Sequence, residues 1–208
     1  MSLLQEISEV MQTGNAPKTR ELVNQGVDEG MDTEELLGAL IAGMNVVGKK
    51  FKNNEVYVPE VLIAARAMNN GLEVLKPLLE EKGVEPVGTV VIGTVMGDMH
   101  DIGKNLVKMM MVGAGFDVVD LGTDVKPEAF VAAAKENNAN IIALSALLTT
   151  TMVNMKAVVE AAKAEGLDNV KIMVGGAPVT DNFAKEIGAD SYSPDAATAA
   201  EVALAYVS

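Results

Sequence analysis

Apolar residues in the first 84 positions recur every three or four residues, and polar or helix-breaking stretches divide them into separate runs. Leu3, Leu4, Ile7, Val10 and Met11 share one helix face, and Thr13-Gly14-Asn15-Ala16-Pro17 ends that run. A second helix is predicted from about Lys18 to Val27. Asp32 is placed to cap a third, with Glu35 at capping-box spacing, and Leu36, Leu37, Leu40, Met44 and Val47 carry it to about Phe51. Pro59 belongs in the first turn of a fourth, which continues through Val61, Leu62, Ala65, Met68, Leu72, Leu75 and Leu79. Helices of this kind with short connections predict an antiparallel four-helix bundle. The polar, Gly- and Pro-interrupted stretch 80–88 reads as the boundary of that domain.

From Thr89 onward the pattern changes to short β-branched runs alternating with helical ones. Strands are predicted near 89–95, 117–121, 140–146, 170–174 and 190–193, with helices near 103–113, 127–137, 151–165, 180–187 and 196–206. Right-handed crossovers between such units give a parallel, doubly wound α/β sheet of flavodoxin-like (Rossmann-type) topology. The expected organisation is a helical domain over 1–84 and an α/β domain over 89–208. Met109, Met110 and Met111 read as packing residues on the first helix of the second domain.

Composition supports a folded protein: 208 residues, 49% apolar and 22% charged, suffice for one large or two small cores. Sixteen basic against 29 acidic residues leave a net charge of −13, so neither nucleic acid nor an anionic membrane is an expected partner. The amino terminus carries no secretory pattern, and no apolar run approaches the roughly 20 residues that cross a bilayer. The absence of cysteine excludes disulfide and thiol chemistry. A cytoplasmic location is expected.

The densest candidate chemistry lies at Gly93-Thr94-Val95-Met96-Gly97-Asp98-Met99-His100-Asp101-Ile102-Gly103-Lys104-Asn105, between the first predicted strand of the α/β half and its helix. Such strand-to-helix loops are where open α/β sheets bind ligands, and this one carries the single histidine. An imidazole can offer one ring nitrogen to a metal while the other is held by a carboxylate. Asp98 is near enough to be that carboxylate, and Gly97 and Gly103 would allow a tight turn and close approach of a ligand. A lone loop histidine is more often a surface or hydrogen-bonded structural residue than a ligand. With no cysteine and no second histidine, a metal here would have to bring most of its ligands.

Two further strand ends are candidates. Ser145, Thr149, Thr150 and Thr151 follow the third α/β strand, where hydroxyls can bond a ligand while Leu147 and Leu148 line its pocket. Thr149 or Thr150 could instead simply cap a helix. Gly175-Gly176 follows the fourth strand, at a position where an ordinary turn would also use glycine.

The run Gly97-Asp98-Met99-His100-Asp101-Ile102-Gly103-Lys104-Asn105 resembles the Asp-x-His-x-x-Gly corrinoid-binding motif of cobalamin-dependent methionine synthase and of small corrinoid methyl-carrier proteins. Gly43-Met44-Asn45-Val46-Val47-Gly48 with Phe51, then Val58-Pro59 with Val61-Leu62 and Ala64-Ala65-Arg66-Ala67-Met68, resemble the helical cap that covers the corrin in the same family. The likeness thus spans nearly the whole chain in two blocks. It implies that His100 replaces the nucleotide base as lower axial ligand to cobalt, with Gly97, Asp98, Met99, Asp101, Ile102 and Gly103 against the cofactor. Thr151 would complete a relay with Asp98 and His100. Ser145, Leu147, Thr149, Gly175, Gly176 and Ala196 would meet the buried nucleotide tail. Phe51 and Val58 would form the apolar pair over the cobalt-bound methyl group, although each is also an ordinary bundle-core position.

The function this resemblance implies is a methyl carrier that binds cobalamin or a related corrinoid and alternates between a methylcobalamin and a Co(I) state. A substrate-specific methyltransferase would load it from a methylamine, methanol, betaine or an aryl methyl ether. A second methyltransferase would unload it to a thiol or tetrahydrofolate, and a reductive activator would service it. The chain would not be catalytic alone. The alternatives are the small B12-binding subunit of an adenosylcobalamin-dependent mutase and a cobalamin-dependent sensor. The helical block argues against the first, and the lack of spare length or a basic helix against the second.

Overall fold

The computed structural model describes residues 2–208. They form two compact units, one reaching to Pro86 and including Gly113–Gly115, the other comprising Val87–Val112 and Phe116–Ser208.

The first unit is built from α1 (Leu3–Gln12), α2 (Ala16–Asp28), α3 (Thr33–Lys52) and α4 (Val58–Lys82). Each start has a local cause. Ser2 accepts from the Gln5 N–H at 3.3 Å, and Asn15 accepts from the Lys18 N–H at 3.2 Å, so α2 begins two residues before its predicted start. Asp32 caps α3 through the Glu34 N–H at 2.8 Å, one residue earlier than the capping-box spacing predicts. At α4 the Glu60 carboxylate accepts from the Tyr57 N–H at 3.0 Å. Gly83, in the left-handed conformation, ends α4, so Glu80–Lys82 are helical rather than part of a linker. α1 packs on α3, and α4 packs on α2 and α3, burying Ile7, Met11, Leu36, Leu40, Met68 and Leu75.

The second unit alternates β1 (Thr89–Thr94), α5 (Ile102–Gly113), β2 (Asp117–Asp120), α6 (Pro127–Glu136), β3 (Ile141–Ser145), α7 (Thr149–Met152), α8 (Asn154–Ala164), β4 (Lys171–Gly175), α9 (Asp181–Ile187), β5 (Ser191–Tyr192) and α10 (Ala196–Val207). The five strands are parallel, in the order β2-β1-β3-β4-β5. This is the doubly wound arrangement the hydrophobic pattern predicts. The helix expected over 151–165 begins at Thr149 and is interrupted at Val153.

Alternation along the strands sorts the sheet residues onto two faces. Val91, Ile142, Leu144, Ile172 and Val174 join Phe130, Met155 and Val158 in one core cluster. On the other face Ile92, Ala143 and Met173 are in register, and one step nearer the carboxyl edge so are Thr94, Ser145 and Gly175. The Ser193 N–H continues this second row by donating to Val174 O at 3.1 Å. No helix among the described residues is long and apolar enough to cross a membrane.

Candidate functional site

Strand order reverses between β1 and β3, and the loops leaving their carboxyl ends diverge to opposite sides of the sheet, opening the crevice where such folds bind ligands. Gly97 turns the first loop with φ +83°, a conformation that disfavours any side chain. That turn drives Asp98 into the interior, where it is fully buried.

A buried carboxylate needs partners, and Asp98 has one for each of its lone-pair directions. One oxygen accepts from the His100 N–H at 3.0 Å and faces the His100 Nδ1 at 2.8 Å. The other accepts from the Leu147 N–H at 2.8 Å and from the Thr151 hydroxyl at 2.7 Å. Burial would raise the Asp98 carboxyl, but the hydrogen bonds from Thr151, Leu147 and His100 outweigh it and hold the group well below the usual carboxylate range. An ionised carboxylate only accepts, so the proton between the two groups sits on Nδ1, and in the neutral imidazole that leaves the lone pair on Nε2. The imidazole is 52% exposed while its carboxylate partner is wholly enclosed. A half-exposed imidazole is therefore held at Nδ1 by a buried carboxylate.

Other contacts hold this loop. The buried Thr94 donates its hydroxyl to the His100 carbonyl at 2.8 Å. Asp124, at φ +55°, accepts from the Gly97 N–H at 2.7 Å and donates its own N–H to Asp98 O at 2.9 Å. Asn154 donates to Met96 O at 2.7 Å. Beneath the start of α5, the buried Lys104 ammonium donates to Asp120 at 2.6 Å and to Asn105 at 2.8 Å, and Lys108 reaches the other Asp120 oxygen at 3.1 Å. Burial opposes ionisation of Asp120, but these lysines and the Gly122 N–H lower its pKa on balance. Sequence reasoning missed Thr94, Lys104, Asp120, Asp124 and Asn154. Thr94 and Lys104 lay within the run 93–105 without being given a role, and the other three carried no signal.

Of the other predicted site residues, Met99 and Ile102 are exposed on the His100 loop, Asp101 is tied to Asn105 at 3.0 Å, and Gly103 has nothing within 4 Å of where a Cβ would stand. Ser145 ends β3 half-buried, in register with Gly175. Thr149 is exposed in α7, and neither it nor Thr150 is the cap: Leu148 occupies that position without a side-chain bond. A Cβ on Gly176 would stand 1.8 Å from the Ala146 carbonyl oxygen, so backbone packing demands glycine there. Ala196 is buried in the first turn of α10, which Asp195 caps through the Thr198 N–H at 2.8 Å. Phe51 and Val58 belong to the helical unit, half-buried at the end of α3 and the start of α4. The structure thus brings Asp98, His100, Leu147 and Thr151 into direct contact and gives no such bond for Thr149 or Ala196.

The donor set and its surroundings fit a large, mostly apolar ligand that brings its own metal. Met99 (70% exposed) and Ile102 (73% exposed) flank His100, and Leu147 and Leu148 are exposed on the β3 loop that grips Asp98. Apolar side chains displayed around a polar donor are a mark of ligand sites. On the sheet face, Gly175 lies between Ser145 and Ser193, and the buried hydroxyls of Ser191 and Ser193 have no hydrogen-bond partner within the protein. Among the described residues no group of three or more His, Cys, Asp or Glu side chains is arranged to hold a metal ion.

One B12 binding domain family model matches residues 88–205, and a second matches residues 3–76. The chain is 44% identical over 208 residues to a corrinoid protein of Desulfitobacterium hafniense (strain Y51), covering 98% of this chain and 96% of that one. It is 49% identical over 180 residues to trimethylamine corrinoid protein 1 of Methanosarcina acetivorans, covering 85% and 83% respectively. Among solved structures it resembles a chain of the methanol:cobalamin methyltransferase complex of Methanosarcina barkeri at 32% identity and a TM-score of 0.88, covering 99% of this chain and 79% of that one.

Proposed function

The chain belongs to the B12-binding corrinoid proteins, and from that premise we propose that it is the methyl-carrying component of a methyltransferase system. The observation that carries the reading is the hydrogen-bonded chain that runs from the buried Thr151 and Asp98 to the half-exposed imidazole of His100. When bound, the corrinoid supplies the cobalt centre on which a methyl group is accepted and released.

The protein's own residues supply the rest. His100 would offer Nε2 to the cobalt, and Asp98 would hold the Nδ1–H tautomer and raise the basicity of the ring. Thr151 and the Leu147 N–H keep Asp98 ionised and aimed. Gly97 and Gly103 leave the loop free of side chains where the macrocycle would approach, and Met99, Asp101 and Ile102 would lie against it. Ser145, Leu147, Thr149, Gly175, Gly176 and Ala196 are assigned to the nucleotide tail, and Phe51 and Val58 to the corrinoid, on the family resemblance. On this reading a substrate-specific methyltransferase activates the methyl donor and loads the chain. The assembly named for the Methanosarcina barkeri relative supports a partner of that kind. A second, acceptor methyltransferase and a reductive activator complete the proposed cycle, in the cytoplasm. The mutase-subunit and sensor alternatives find no support, because relatives matched over most of their length are corrinoid proteins of methylamine systems.

The test is electron paramagnetic resonance of the corrinoid-loaded protein in its paramagnetic cobalt state, with histidine labelled with nitrogen-15. Hyperfine coupling to the labelled nitrogen is expected. Coupling only to the cofactor's own base would overturn the assignment of His100.

A further inference from the structure

We propose that Thr94 is a positioning residue for His100: its hydroxyl, at the carboxyl end of β1, fixes the backbone from which the imidazole is presented. The inference rests on His100 being the cobalt ligand and names a residue that the motif does not contain.

Asp98 holds His100 on one side, through its N–H and its Nδ1. Neither of those two contacts reaches the carbonyl of His100, and the bonds from Asn105 hold the next residue, Asp101. Thr94 supplies the third point, donating to the His100 carbonyl at 2.8 Å. Thr94 is itself held rigidly. It pairs with Ser145 across the sheet, its N–H donates to Gly122 O at 3.0 Å, and its carbonyl accepts from the Val125 N–H at 3.0 Å. The anchor is therefore the end of a central strand, held by β3 on one side and by the segment after β2 on the other.

The site needs this rigidity because a ligand nitrogen must be held within about 0.5 Å of its productive position, and loops alone do so poorly. Thr94 is fully buried, so water is not at hand to replace its hydroxyl, and its loss would leave the His100 carbonyl short of a donor. The same bond separates two parts of the site. Thr94 shares a row with Ser145 and Gly175 on one sheet face, but its hydroxyl is committed to the His100 loop, leaving the rest of the row for the nucleotide tail.

The experiment compares wild type with Thr94→Val, which keeps the β-branched shape without the donor, and Thr94→Ser, which keeps the donor. Thr94→Ala provides a second removal should the valine methyl crowd the His100 carbonyl and prevent folding. Corrinoid affinity is measured by titration, and histidine ligation by the same nitrogen-15 coupling. Thr94→Val is expected to lose about tenfold in affinity, the low end for the outer partners of a metal-binding histidine, together with part of the histidine coupling; Thr94→Ser should recover both. Wild-type coupling and affinity in folded Thr94→Val or Thr94→Ala would overturn this inference alone, as would a serine variant no better than valine. Absence of coupling in wild type would instead overturn the ligand assignment, and this inference with it.

Discussion

In the helical unit the buried polar side chains are Thr19 and Thr33, hydroxyls in the first turns of α2 and α3, whereas the α/β unit buries Thr94, Asp98, Lys104, Thr151 and Ser193. The charges of the helical unit stay at its surface, as in the Arg20–Glu73 and Lys82–Asp32 pairs, both about half exposed and contributing little to stability. The α/β unit encloses a carboxylate and an ammonium. Neither is tolerable without partners, and both have them: four hydrogen-bond contacts converge on Asp98, and Asp120 and Asn105 accept from Lys104. One unit is organised by apolar packing. In the other, polar burial is concentrated around the loop that presents His100, and that concentration is what singles out the candidate site.

The largest effect is expected where packing alone is removed. Leu40 is fully buried in the bundle, and Leu40→Ala should cost about 2–5 kcal/mol in denaturant-induced unfolding, by the same amount at every pH where the protein is folded. Asp98→Asn should cost somewhat less, about 1.5–3 kcal/mol, the worth of one hydrogen bond to a charged group, because an amide keeps accepting on its oxygen and can donate to the Thr151 hydroxyl but no longer accepts from the Leu147 N–H. Its signature is pH dependence. A carboxylate whose pKa is lowered on folding stabilises the protein above the unfolded carboxylate range, near pH ~4. That contribution disappears as pH falls from there towards the folded value, so the gap between wild type and Asp98→Asn should narrow in acid. A gap equally wide at pH 3 and pH 7 would show that Asp98 matters by shape rather than by charge.

The smallest effect on folding should come from the residue most important to the site. His100 is half exposed, and His100→Ala should change stability by less than about 1 kcal/mol while abolishing the histidine coupling to cobalt. Thermal unfolding of the cofactor-free proteins checks the first half. A loss comparable to that of Leu40→Ala would mean that the imidazole is a packing element, and the contrast between the two units would fail.

Much of the architecture was legible along the chain because it depends on neighbours. Three- and four-residue spacing located α1 to α4, and the β-branched run Thr89–Ile92 located β1. The Asp98-x-His100 spacing placed a carboxylate and an imidazole close enough to pair, and Gly97 marked the turn between strand and helix. Local signals misled where backbone geometry had two nearby solutions: Asp32 bonds Glu34 rather than Glu35, and Leu148 rather than a threonine stands at the cap of α7.

The sequence by itself therefore determined the elements, their order, the doubly wound class and the position of the histidine, since each follows from side-chain periodicity or from residues a few positions apart. Only the tertiary structure decided what holds that histidine in place. Asp98 meets Leu147 and Thr151, 49 and 53 positions further on, because β1 lies beside β3 in the sheet. Thr151 could be nominated by resemblance, but its bond to Asp98 depends on that adjacency. Lys104 finds Asp120 because β2 flanks β1 on the other side, and Gly176 is required because the Ala146 carbonyl occupies the place of its missing side chain. Periodicity shows which face of a strand is buried but not which strand lies beside it. The hydrogen bonds of a buried carboxylate depend on that adjacency, and so does the direction in which the His100 ring is presented.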